Sequence, residues 1–227
     1  MFRMFKRKKD AGEAAEAAKP NADSKGDDEE HVLASDAEDL FARGKVYMVN
    51  NDRKAEKLLK IAAEKGHADA QFHLGHMYIN GICVPADHNE AVKWLSLAAE
   101  KGHADAQCRL GRMHDNGHGV PQNFKEAVKL YRLAAQQGHA DAQYRFGMSR
   151  HYGIGISRNT SDAVKWFRLA AERGHMDAQY ELAQIYDHGN GVAHDPTEAV
   201  KLYRLAAEQG HADAKHELSR RADRVQA

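Results

Sequence analysis

Five histidines recur at one place in a repeated phrase: His67, His103, His139, His175 and His211. Each follows a glycine and precedes, two residues on, an aspartate (Asp69, Asp105, Asp141, Asp177, Asp213). Imidazole titrates near neutrality and ligates metals. The ladder therefore reads as a set of metal ligands, a set of acid–base groups, or part of how each structural unit begins. Packed helix axes lie about 8–10 Å apart, whereas zinc sits about 2.0–2.1 Å from an imidazole nitrogen. Neighbouring ladder members are therefore too distant to share an ion. A second metal candidate is His73/His76 with His114/His118 and Cys108, but no C-x-x-C or H-E-x-x-H spacing accompanies it. The carboxylates fall in cap and surface columns, and no nucleophile has a base that the spacing assigns to it. No cofactor and no catalytic residue are expected.

The elements that must carry these histidines repeat every 36 positions without a slip, as from His67 to His103. Such a fixed period is read before any local signal. Each unit reads as two helices. The first, near 68–80, places Ala70, Leu74 and Tyr78 on one stripe at helical spacing. Gly75, Gly111 and Gly147 stand mid-helix, where glycine costs about 1 kcal/mol against alanine, so close approach of another helix is predicted. Ala183 and Ser219 hold that place later. Loops such as 117–124 (GHGVPQNF) follow, each with an apolar residue expected to tuck between the helices: Val84, Val120, Ile156 and Val192. The G-x-G pattern there closes a helix and follows no strand, which argues against nucleotide phosphate.

The second helix opens on a capping-box pattern, Asp87 with Glu90, Asn123 with Glu126, Asn159 with Asp162 and Asp195 with Glu198. It closes at Gly66, Gly102, Gly138, Gly174 and Gly210, glycines of the helix-ending kind. Each ladder histidine thus lies between a closing glycine and a new helix, within reach of the last carbonyls of one or the open N–H groups of the next. The aspartates suit the new helix's dipole.

Bulk properties bound the rest. Lysine plus arginine (33) equal aspartate plus glutamate (33) in 227 residues, so no global field selects nucleic acid. No apolar run approaches the roughly 18 residues of a membrane span. Two cysteines are too few for a disulfide scaffold, and a cytoplasmic, reducing setting is expected. No apolar stretch of roughly 7–15 residues follows the basic start, so a secretory signal is not expected. Residues 1–34, basic and then acidic and alanine-rich, are expected to be disordered. Residues 1–9 are a weak candidate for membrane-surface contact.

The pattern A-x-K-W/Y-x-x-x-A-A-x-x-G-x-x-x-A-Q-x-x-L-G, read across 91–120 and again downstream, resembles the Sel-one-like repeat (SLR) family. The resemblance covers about residues 36–222. It implies an all-α fold, a right-handed α/α solenoid of antiparallel helix pairs. It also implies a role as adaptor or scaffold, chiefly in bacterial and eukaryotic signalling. The expected organisation is a divergent N-terminal capping pair (35–65), four repeats (66–101, 102–137, 138–173, 174–209) and a single C-terminal capping helix (210–227). A cysteine-rich, secreted branch with affinity for β-lactams carries a cysteine pair in each repeat, which this chain lacks.

Columns of constant identity build the scaffold; columns that change carry recognition. On the first helices one face reads His73/His76/Asn80, Arg109/Arg112/Asn116, Arg145/Met148/Tyr152 and Glu181/Gln184/His188. In such solenoids the first helices line the concave side. Its basic middle suits an acidic protein or peptide partner through arginine–carboxylate pairs. The expectation is a monomeric, bacterial, non-enzymatic interaction protein without nucleic acid. A regulatory or immunity-type inhibitor of one cognate protein is the alternative, and a β-lactam-interacting enzyme a third.

Overall fold

A computed structural model describes residues 35–226. The N-terminal stretch 1–34, with its expected disorder and its membrane-contact candidate at 1–9, lies outside the described residues. Among the described residues there are eleven helices and no strand. In chain order they are α1 (Ala37–Val49), α2 (Lys54–Glu64), α3 (Ala68–Asn80), α4 (His88–Glu100), α5 (Ala104–Asn116), α6 (Phe124–Gln136), α7 (Ala140–Tyr152), α8 (Thr160–Glu172), α9 (Met176–His188), α10 (Pro196–Glu208) and α11 (Ala212–Gln226). Odd and even helices pack as consecutive pairs, each even helix also packs on the next odd one, and α11 rests on α10. No helix among the described residues is long and apolar enough to cross a membrane.

The start of each odd helix from α3 onward is set by its histidine. At His103 the backbone is extended (φ −65°, ψ 110°), and Nδ1 accepts the Ala106 N–H at 3.2 Å. The same residue's own N–H closes the helix before, donating to Ala98 O at 3.1 Å. Gly102 between them has φ 85°, which a glycine adopts freely. One tripeptide therefore ends a helix and begins the next.

The even helices begin with half of the expected capping box. Asp87 accepts from Asn89 and Glu90 N–H, and Asn123, Asn159 and Asp195 accept from the third helical N–H. The return bond from the acidic residue is absent, because the cap N–H groups are already used. They donate to Tyr78, His114, Arg150 and Tyr186 carbonyls of the preceding helix at 2.7–2.9 Å. Glu90 turns instead to Lys93 and Trp94.

Small residues let the pairs approach. Ala70, Ala106, Ala142, Ala178 and Ala214 are fully buried on the odd helices, as are Ala91, Ala163 and Ala199 on the even ones. A Cβ added at Gly111 would lie 2.7 Å from Tyr131 Cε1, and one at Gly147 2.7 Å from Phe167 Cε1. The mid-helix glycines are thus seats for the large side chain of the partner helix. The loop residue Val84 is buried, and Val120, Ile156 and Val192 are partly buried, each packed on a core layer of its own. At the far end Arg221 of α11 pairs with Asp187 and lies over the Tyr203 ring.

Candidate functional site

The histidine ladder is bonded at both ring nitrogens in its first three steps. With Nδ1 accepting a helix N–H, the neutral ring carries its proton on Nε2 and donates there. The acceptors belong to the unit before: Glu38 for His67 (2.8 Å), Asp69 for His103 (3.0 Å) and Asp105 for His139 (3.2 Å). His175 and His211 face Asp141 and Asp177 at 3.6 and 3.7 Å. The aspartate of the repeated phrase therefore reaches 34 positions forward, to the next histidine, in addition to suiting its own helix dipole. Most rings are also covered on a face. Phe41 stacks on His67, Phe72 on His103, Tyr144 on His175 and Tyr180 on His211. Such rings link the start of one helix to the carboxylate and the ring of the unit before.

The glutamine four residues after each of the first four ladder histidines carries a role the sequence reading missed. Gln71, Gln107, Gln143 and Gln179 are buried, and each donates from Nε2 to an alanine carbonyl near the end of the preceding helix at 2.9–3.2 Å. A carbonyl only accepts, so the amide orientation is fixed. The Oε1 of Gln107 and Gln179 receives Gln137 and Gln209, each at 2.8 Å. The Oε1 of Gln71 and Gln143 is buried without a partner, because Lys101 and Arg173 stand at the donor's position. Constancy in four successive units was the available signal.

The variable column of the odd helices opens as grooves between neighbouring units. One, of about 70 Å³, is lined by Arg109, Arg112, Asn116, Ile79 and His118 among others. A second, of about 60 Å³, again has Arg109 and Arg112, with Phe72, Cys108 and His139. A third, of about 180 Å³, gathers Tyr152, Glu181, Gln184 and His188 with His151. Residues from α5 are thus grouped together, as are those of α7 and α9.

Not all of the column is free to bind. Arg145 donates to Asp141 at 2.9 Å and lies over the Tyr131 ring. Met148 packs on the core layer of α8–α10. Asn80 bonds back to His76 O, His188 Nδ1 lies 2.8 Å from Gln184 O, and Gln184 donates to the Tyr180 hydroxyl. His73 and His76 lie against Phe41 and Phe72. Burial holds both below the ordinary imidazole value, with Lys45 adding to the effect at His73 and Arg109 at His76. Burial also raises Glu181, with help from Asp177. Arg109 and Arg112, by contrast, make no hydrogen bond or ion pair among the described residues. They are partly buried beside the two smaller grooves.

Cys108 is buried in the column held elsewhere by Phe72, Tyr144 and Tyr180. Burial and the neighbouring Asp141 push its thiol well above its ordinary range, so it is a poor nucleophile. Among the described residues no three His, Cys, Asp or Glu side chains are placed to share a metal ion.

Comparison with known families settles the architecture's kinship. The profile of the Sel1 repeat matches residues 33–67, 68–103, 104–139, 140–175 and 177–211. The chain belongs to the Sel1 repeat family. Sel1 repeat proteins are commonly scaffolds for protein interaction. Among solved structures, a protective antigen of uropathogenic Escherichia coli displaying an SLR fold is 32% identical, with a TM-score of 0.78 over 84% of this chain. The match spans only 42% of that antigen's chain. A Sel1 repeat protein from Oxalobacter formigenes is 31% identical, TM-score 0.75, covering 82% of this chain and 75% of that one. An immunity protein from Pseudomonas aeruginosa shares the fold at 22% identity and TM-score 0.50, covering 79% and 72%. No curated protein matches significantly. Within the Sel1 repeat units, each profile match from the second to the fourth begins just after a ladder histidine, where the odd helix starts.

Proposed function

We propose that this Sel1 repeat protein is a non-enzymatic scaffold that binds an acidic partner protein along the face formed by its odd helices. The supporting observation is the pair Arg109 and Arg112: two partly buried guanidiniums, three positions apart on α5, neither of them hydrogen-bonded or ion-paired among the described residues. Guanidinium fits carboxylate through paired N–H groups, and such charge-assisted bonds are about twice as strong as neutral ones. Arg145 keeps a lesser share, being tied to Asp141. Glu181 at the α9 end gives the face opposite polarity, which sets the direction of an extended partner segment. The partner's identity is found by affinity purification with mass spectrometry. The double substitution Arg109→Glu with Arg112→Glu then tests the face. Helical circular dichroism stays intact and recovery of that partner is lost, while Arg145→Glu reduces it less. Unchanged recovery by the double variant refutes the reading.

A further inference from the structure

The stacked ladder has one gap. Four ladder histidines are covered by a ring of the unit before, with centroids 4.2–4.7 Å apart. The fifth, His139, has Cys108 where that ring would stand. Its side chain is 21% exposed, against 12–16% for the other four. The uncovered imidazole lines the groove of about 60 Å³ that also holds Arg109 and Arg112. A flat face without cover and two unpaired cations therefore share one opening.

We propose that this notch receives an aromatic side chain of the partner, flanked in the partner's sequence by a carboxylate. The ring completes the stack on His139, and the carboxylate lies between the two arginines. The proposal deepens, and rests on, the odd-helix reading above. An aromatic ring is favoured over an aliphatic chain because it matches the imidazole face, as Phe72 does on His103, and its outer face accepts a guanidinium. A phosphate-bearing ring is disfavoured because Asp105 and Asp141 line the same notch. One negative charge is neutralised by the arginines; a second meets these carboxylates. The volume falls well below the roughly 150 Å³ cavity that encloses benzene, so a single ring is seated with one face outward and a fused base is not.

The test uses the full chain with labelled histidines, followed by NMR during titration with acetyl-Asp-Phe-Glu-amide. The comparison peptide is acetyl-Asp-Leu-Glu-amide, and AMP serves as the ring-plus-phosphate probe. The Phe peptide shifts the His139 imidazole signals saturably and binds about two- to tenfold more tightly than the Leu peptide. Cys108→Phe fills the notch from within, as Phe72 does one unit earlier, and erases that preference. Cys108→Ser leaves it open and retains it. Arg112→Gln weakens both peptides together. Equal affinity of the two peptides for the unaltered chain, absence of a His139 shift, or a larger shift with AMP overturns the proposal, whatever the variants do. Equal affinity of the two peptides for the unaltered chain, together with partner loss in the Arg109→Glu, Arg112→Glu variant, removes the notch and leaves the face. Partner retention by that variant removes the face itself.

Discussion

Replacing Lys101 with glutamine supplies the donor that Gln71 lacks. In the units at Gln107 and Gln179 the buried Oε1 already receives an amide N–H at 2.8 Å, from Gln137 and Gln209. Lys101 holds the equivalent position but bonds to Gly66 O, leaving Gln71 Oε1 buried and unpaired. A buried polar atom without a partner costs about 1–3 kcal/mol, and a new neutral hydrogen bond contributes about 1 kcal/mol net. Against this stands the loss of the exposed lysine contact, worth about 0.5 kcal/mol. Lys101→Gln therefore stabilises by about 0.5–2 kcal/mol, and Arg173→Gln, which serves Gln143, does the same. For a chain of this size each kcal/mol raises Tm by about 2–4 °C. The two sites lie two repeats apart and share no partner, so their effects add. Thermal and urea unfolding of the two single variants and the double variant measure this. The reverse substitutions Gln137→Lys and Gln209→Arg destabilise by a similar amount. Refutation is direct: if Lys101→Gln and Arg173→Gln leave stability unchanged while Gln137→Lys is harmless, the glutamine column does not act as described.

Other predictions concern the joints of the repeat. His103→Ala removes an N-cap acceptor and the link to Asp69, and costs about 1–2 kcal/mol in urea unfolding; His103→Asn keeps the cap and costs less. Gly111→Ala destabilises by about 1–3 kcal/mol despite alanine's better helix propensity, because its Cβ meets the Tyr131 ring at 2.7 Å. Gly119→Ala is worse, since φ is +71° and the added Cβ lies 2.4 Å from His88 O, whereas Cys83→Gly is neutral or stabilising because Cys83 already holds φ 61°. Asp141→Asn carries a pH signature. Burial alone would raise the Asp141 pKa, but the nearby His175 ring and the Arg145 donor outweigh it and hold the carboxyl well below the usual range. A depressed folded pKa means that its stabilisation is full above the unfolded value of about 4. The gap between parent and variant in urea midpoint is therefore constant from neutrality to about pH 5 and closes as the pH falls further.

Much of the fold was legible because the repeat states it five times. The helix starting at Ala68, the closing glycines and the final helix from Ala212 follow from caps and periodicity that act within a few residues. The close approach at Gly75, Gly111 and Gly147 followed from the cost of glycine in a helix. The capping box was only half legible: its acidic return bond is replaced by a backbone bond whose acceptor lies nine residues upstream, on the other helix of the pair. In the candidate face, residue types were readable but their availability was not. Arg109 and Arg145 occupy equivalent positions, yet Arg145 is tied to Asp141 and Arg109 is free.

The metre of this protein is written in its residues: a 36-residue unit, its two helices, and which columns stay constant. Those features depend on local hydrogen bonding and on periodicity, which neighbouring residues express directly. Which side chains meet across units is a matter of tertiary packing. The histidine–carboxylate links and the paired glutamine amides join residues about one repeat apart, and the open face of His139 reflects Cys108, 31 positions earlier. Their partners become neighbours only when the helices stack.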